Sequence, residues 1–219
     1  MKNKIIYLTI DDCPSKNFKE KLDFLIKNKI KAILFCTGKR MEKKPKDIIY
    51  AIKKGFIIGN HSYSHPHFSL ISVKEAERQI KLTDEIINSL YKKAGKRRKF
   101  KVFRFPYNDP GNIINRNLIQ KILKKYNYKR PKFKRIKYKW YNYYFSDRID
   151  VFWTYDFAEY KIKSIRIFIK KILKNRGNLQ NKKTNDILLI HDNKRTTKLF
   201  YKIINKLIEQ KVKFAIPKK

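Results

Sequence analysis

Asp11 and Asp12 stand side by side at the end of the first apolar run, Ile5-Ile6-Tyr7-Leu8-Thr9-Ile10. Two adjacent carboxylates repel one another and are costly to bury unless a cation sits beside them. Downstream, His61-Ser62-Tyr63-Ser64-His65 sets two imidazoles four residues apart, with Pro66 and a third histidine, His67, just beyond. On one helical turn that interval would present both rings to a single cation. Two imidazoles and one carboxylate suit zinc or a neighbouring transition ion, with coordination positions left over for water and substrate. One aspartate would ligate, and the other would act as base on a water whose pKa the metal lowers to about 7.

Those residues need a scaffold that brings them to one place. Short apolar runs at 4–10, 31–36, 56–60, 100–105, 149–155, 186–191 and 212–216 read as strands. Amphipathic stretches at 17–28, 45–54, 72–93, 112–125, 163–175 and 196–210 read as helices between them. In 72–93, Ser72 precedes Glu75 at capping-box spacing, and Ala76, Ile80, Ile86, Ile87 and Leu90 keep a mostly helical period. Repeated strand–helix alternation predicts an α/β fold with a parallel sheet, open or closed into a barrel. On this map the unusual polar groups share one edge. Asp11 and Asp12, then His61, Arg104, Asp156 and His191 all fall at strand C-terminal ends. That is the edge on which α/β folds build their sites.

Five segments, in order, resemble the motifs of the NodB-type polysaccharide deacetylases, carbohydrate esterase family 4. They are Thr9-Ile10-Asp11-Asp12-Cys13-Pro14, His61-Ser62-Tyr63-Ser64-His65-Pro66, Arg104-Phe105-Pro106-Tyr107, Asp156-Phe157-Ala158-Glu159-Tyr160 and Leu189-Ile190-His191. The resemblance implies a distorted (β/α) barrel of about seven strands. It implies that Asp11 is the general base and that Asp12, His61 and His65 ligate a divalent metal, Zn2+ first, with Co2+, Ni2+ or Mn2+ as alternatives. Arg104 would hold Asp11 ionised and oriented. The backbone N–H of Tyr107 would join the metal in stabilising the oxyanion. His191 would protonate the leaving amine, tuned by Asp156. Leu189 and Tyr160 would line the pocket for the acetyl methyl. The implied reaction is hydrolysis of N-acetyl groups on an amino-sugar glycan that is chitin-, peptidoglycan- or capsule-like. Three departures stand out: Cys13 and Asn108 occupy positions where glycine is common, and Glu159-Tyr160 replaces Asp-Trp. If Cys13 needs a positive φ, its β-carbon costs roughly 1 kcal/mol.

Length and composition set the remaining bounds. The 219 residues suffice for one catalytic domain over 1–219, and 42% hydrophobic content argues against disorder. The net charge of +38 is compatible with affinity for anionic polymers or membrane surfaces. Lysines spread along the whole chain among many Asn, Ile, Tyr and Phe nevertheless read first as the compositional bias of an A+T-rich coding sequence, and no specific nucleic-acid partner is expected. Two alternatives to glycan deacetylation therefore stay open: a deformylase or amidase acting on a lipid-linked sugar or small amide, and a catalytically degenerate polyanion binder. A segment near 129–148 interleaves basic and aromatic residues and reads as an insertion packed on the barrel, with a short extra strand conceivable around 133–139. Cys13 and Cys36 are too few for a disulfide framework, and free thiols are expected, although both fall near strand ends. No signal peptide or membrane span is evident, which predicts a cytoplasmic protein or export by a route not visible in sequence.

Overall fold

The computed structural model describes residues 4–162, 179 and 181–218. In chain order the elements are β1 (Ile5–Cys13), α1 (Phe18–Lys27), β2 (Ile33–Cys36), α2 (Gly38–Lys43), α3 (Pro45–Lys53), β3 (Ile57–Asn60), α4 (Val73–Lys93), α5 (Ile113–Lys125), α6 (Lys139–Phe145), β4 (Tyr155–Asp156), β5 (Asp186–His191), α7 (Thr197–Glu209) and β6 (Lys213–Phe214). Five expected helices fall within a residue or two of their predicted bounds. The expected helix at 163–175 lies outside the described residues. Ser72 caps α4 as its spacing predicts, its hydroxyl accepting from the Glu75 N–H at 3.1 Å.

The strands pair in parallel in the order β3–β2–β1–β5–β4, with β6 beside the first two residues of β1. Expected strand 100–105 is extended chain with a single bridge, Asn60 to Phe103, and of 149–155 only the end enters β4. These stretches still close the sheet on itself. Asn60 N donates to Val102 O (2.9 Å) and Arg104 N to Asn60 O (3.1 Å). Val151 N then donates to Phe103 O (2.8 Å), and Thr154 N to Ile187 O (2.9 Å). Each stretch makes only one or two ladder bonds to each neighbour, so the wall is a barrel stave without being a regular strand. The distorted α/β barrel expected from the resemblance is the architecture found, with six paired strands among the described residues, where about seven were expected, and the two irregular stretches completing the wall.

Strand alternation sorts the side chains. Ile6, Leu8 and Ile10 of β1, with Leu188 and Ile190 of β5, pack outward against α1, α3 and α7. On α7, Phe200, Ile203, Ile204 and Leu207 are fully buried, each contributing at most about 1.5–3 kcal/mol. Ile33, Phe35, Ile57, Val102 and Val151 fill a second cluster within the barrel. Gly59 belongs there because a β-carbon would lie 2.6 Å from the Phe35 ring. At the strands' N-terminal end, Tyr7 and Ile187 pack against Tyr141 and Phe145, which α6 presents four residues apart. The basic–aromatic segment thus contributes a helical plug, and the conceivable strand at 133–139 is absent; only Lys132 bridges, to Lys218. Cys13 and Cys36 face each other in register between β1 and β2 as buried free thiols. Among the described residues no helix is long and apolar enough to cross a membrane.

Candidate active site

The end of β1 explains how two consecutive aspartates serve one site. Ile10 pairs with Leu34 and Cys13 with Cys36, so three steps on β1 oppose two on β2. This bulge re-aims the extra residue. Asp12 takes a φ of 63°, the left-handed region that an Asp tolerates better than most residues. The positive φ anticipated at Cys13 therefore falls one residue earlier, and the Cys13 thiol is turned into the core. Asp11 keeps the inward direction of Tyr7 and Thr9 and is 3% exposed.

Arg104 crosses beneath the site and is 1% exposed. Its Nη1 donates to Asp11 Oδ1 (2.7 Å) and Thr9 Oγ1 (2.8 Å), and its Nε to Val151 O (2.9 Å). The guanidinium stacks 4.3 Å from the centre of the Phe35 ring. Three fixed contacts and a stacked face leave Asp11 Oδ1 held in one orientation, with Oδ2 free toward His61.

The two histidines come from a loop rather than the helical turn expected of their spacing. Ser62 and His65 both have positive φ, 63° and 64°. Gln79 of α4 pins this loop, its Oε1 accepting from Tyr63 N (3.0 Å) and Ser64 N (2.8 Å). Asn60 Oδ1 accepts from Ser62 N at 2.8 Å. Neither Gln79 nor Asn60 carries a local sequence signal that marks it as a site residue. His61 Nδ1 lies 2.9 Å from the Arg104 carbonyl, which directs Nε2 into the site. Nε2 of His61 is 3.7 Å from Asp11 Oδ2 and 3.8 Å from Asp12 Oδ1, and His65 Nε2 is 3.0 Å from Asp12 Oδ1. Ligand atoms of Asp12, His61 and His65 all lie within 4.8 Å of one another. Burial holds His61 below its ordinary pKa despite the charges of Asp11 and Asp12, favouring the neutral, ligating form. Burial alone would raise Asp12, but the His65 hydrogen bond and the charges of His61, His65 and His191 hold it well below the usual carboxylate range. A carboxylate and two neutral imidazoles so spaced fit a divalent cation.

Across the cleft stands His191, at the end of β5. Its direct partner is Glu159, whose Oε1 accepts from the His191 backbone N–H (2.8 Å) and lies 3.1 Å from Nδ1. Asp156, expected to tune this histidine, lies close enough to interact with it through charge, and its Oδ1 accepts from Ala158 N at 2.8 Å, closing a turn in which Ala158 has a φ of 45°. That turn swings Glu159, 1% exposed, under His191. Ligand atoms of Asp156, Glu159 and His191 also lie within 4.8 Å. Both hydrogen bonds to Oε1 make this cluster a paired imidazole first. Burial would lower His191, but the hydrogen bond and charge of Glu159, then the charges of Asp11 and Asp12, push it up to about 9. Burial likewise raises Asp156, which keeps its acidity only in part through the Ala158 N–H and His191.

Asp11, Asp12, His61, His65, Tyr107, Asp156, Tyr160, Leu189 and His191 share one cleft of about 530 Å³ with Phe105 and Trp153. Arg104 alone of the anticipated residues lies below its floor. Tyr107 has a φ of 54°, and its ring stacks on His67 at 3.9 Å. Tyr160 meets His191 edge to face at 4.9 Å.

This fold and this cleft define a class. The sequence pattern described as polysaccharide deacetylase matches residues 1–131, and the chain belongs to that family. Over 114 residues it is 39% identical to the peptidoglycan-N-acetylglucosamine deacetylase of Bacillus cereus, covering 52% of this chain and 38% of that protein. Over 88 residues it is 42% identical to the peptidoglycan-N-acetylmuramic acid deacetylase PdaC of Bacillus subtilis, covering 40% of this chain and 19% of that one. The chain thus spans well under half of either relative's length. The solved structure of PdaC superposes with a TM-score of 0.66 at 27% identity, covering 98% of this chain and 87% of that one. A carbohydrate esterase family 4 pseudoenzyme from Bacillus anthracis superposes with a TM-score of 0.69 at 20% identity, over 97% of this chain and 63% of that one. The latter likeness is one of fold alone.

Proposed function

We propose that this chain is a metal-dependent hydrolase that removes N-acetyl groups from an N-acetylated amino-sugar glycan. The observation that carries the reading is the convergence of Asp11, Asp12, His61, His65 and His191 in a single cleft, with Asp11 clamped by Arg104 and His191 by Glu159. The family's named relatives, peptidoglycan deacetylases and a chitooligosaccharide deacetylase of Sinorhizobium fredii, support the substrate class.

Asp12, His61 and His65 would hold the cation, with Zn2+ the first choice for this donor set. When bound, it would supply a Lewis acid and lower the pKa of water in the site. Asp11, held by the hydrogen bond from Arg104, which is itself fixed by Thr9 and the Val151 carbonyl, accepts the proton as water attacks the acetyl carbonyl. The Tyr107 N–H donates to the developing oxyanion. His191, raised toward 9 and so protonated near neutral pH, gives its proton to the amine as the C–N bond breaks. Leu189 and Tyr160 exclude water around the acetyl methyl. Residues 1–219 act as one catalytic domain in this reading, with 129–148 as an insertion that plugs the barrel's far end.

Zinc- or cobalt-loaded protein should release acetate from N-acetylglucosamine oligomers. Asp11→Asn should abolish turnover and retain the metal. Absence of hydrolysis across glycan, peptidoglycan and small-amide panels would overturn the reading and place the chain with the family's pseudoenzymes.

A further inference from the structure

The cleft and the grooves beside it differ sharply in charge. Among the described residues, the cleft is lined by the neutral side chains Phe105, Tyr107, Trp153, Tyr160 and Leu189 beside its carboxylates and histidines, and by no lysine or arginine. Asp12, however, is shared with two adjoining grooves of about 360 and 480 Å³. Their cations are Lys16, Lys39, Arg40, Lys43, Lys44 and Lys194. Arg40 and Lys43 line both grooves, so the two flank one cationic ridge carried by α2.

Lysines cover much of this protein, and most need no explanation. These differ in what surrounds them. The carboxylates lining the grooves are Asp12 and Asp192. Asp192 is already committed, accepting from buried Lys21 Nζ (2.6 Å) and from Ser15 N (2.6 Å) and Oγ (2.7 Å). Asp12 belongs to the proposed cation. Among the described residues, the ion pairs of lysine and arginine do not include Lys16, Lys39, Arg40, Lys43 or Lys194. The ridge is also anchored to the site. Arg40 Nη1 donates to the Asp12 carbonyl, and Lys44 Nζ donates to Ser15 O at 2.8 Å. Of these cations only Lys44 has a carboxylate partner among the described residues, Asp47 at 3.8 Å, and a cluster of largely uncompensated cations beside a reaction centre concentrates anions there.

We propose that the substrate is an acidic glycan. The sugar carrying the acetamide lies in the cleft among its aromatic side chains, and anionic substituents of its neighbours lie along the α2 ridge. This rests on the deacetylase reading of the cleft and adds the charge of the substrate to it. The shared chemistry is an oxyanion on an adjacent sugar, supplied by a carboxylate or by a phosphodiester.

The test compares N-acetylated oligomers of matched length: neutral chitin oligomers, hyaluronan oligomers with a carboxylate on alternate sugars, and a phosphodiester-linked amino-sugar oligomer. Acetate release is followed at low and high salt, and binding of labelled oligomers is followed by fluorescence anisotropy. At low salt, KM for at least one acidic substrate should lie about tenfold below that for the neutral one, and high salt should close the gap. The arm that shows the gap names the anion. The triple variant Lys39→Gln/Arg40→Gln/Lys43→Gln should erase the gap, as should Lys16→Gln/Lys194→Gln in part. Lys92→Gln/Lys93→Gln/Lys96→Gln, which removes equal charge from an exposed surface elsewhere, should preserve it. Equal KM for neutral and acidic oligomers, or a gap erased equally by the remote variant, would overturn the proposal while leaving deacetylation intact. Absence of acetate from every substrate would overturn the deacetylase reading. In that case anisotropy still judges the ridge, since neutral and acidic oligomers binding alike would reject it.

Discussion

Replacing Glu159 by Gln removes one negative charge from behind His191 while keeping an oxygen where Oε1 accepts its two hydrogen bonds, at 2.8 and 3.1 Å. Burial would lower the His191 imidazole, and the hydrogen bond and charge of Glu159 are the leading contributions that overcome it and lift the group to about 9. A cation at Asp12 would cancel part of the aspartates' share, leaving Glu159 as the main support. Without that carboxylate, the ring should return to about its ordinary value near 6.5 or below. A raised pKa means that the folded protein holds the imidazolium proton more tightly; the difference from 9 to 6.5 corresponds to roughly 3 kcal/mol. At pH 8 the protonated fraction would drop from about nine-tenths to about three hundredths, so kcat/KM should fall roughly 30-fold. At pH 6 the loss should stay under about twofold, because both forms of the enzyme would then be largely protonated. The assay is a pH profile of kcat/KM for acetate release on both proteins. The alkaline limb should move from near 9 in the parent toward 6.5 in the variant. Superimposable alkaline limbs would refute the reasoning, showing either that His191 is not the acid or that Glu159 does not set its proton affinity.

Other perturbations test the supports of the site. Lys21→Met strands the buried Asp192 carboxylate, whose side chain is 1% exposed, and should cost about 3–5 kcal/mol in denaturant unfolding. A cost below about 1 kcal/mol would show that Ser15 alone satisfies it. Gln79→Ala removes the acceptor that pins the histidine loop and should weaken zinc binding about 10–100-fold by calorimetry, as loss of outer partners does elsewhere. Gly59→Ala would drive a β-carbon to 2.6 Å from the Phe35 ring, so thermal unfolding should register a loss of about 1–3 kcal/mol.

Local signals in the chain were enough to bring most of the candidate site residues to one edge. Short apolar runs and helices of period 3.6 depend on neighbours a few residues away, so β1, β5, α4 and α7 were legible. So was the shared edge holding Asp11, Asp12, His61, Arg104 and His191. Tertiary structure decided the rest, because the causes lie far apart along the chain. The wall at 100–105 and 149–155 is held by a few bonds to β3, to β5 and between the two stretches, too few to write a strand pattern into the sequence. The spacing of His61 and His65 suggested a helical turn, but positive φ at Ser62 and His65 and the grip of Gln79, 16 residues from Tyr63, make it a loop. Asp156 and Glu159 are equally acidic by sequence, and the left-handed turn at Ala158 alone brings Glu159 to the imidazole. Lys21 and Asp192 lie 171 residues apart, and no local pattern announces their contact. Side-chain type is a property of the residue, whereas the partner that sets its charge state is chosen by the fold.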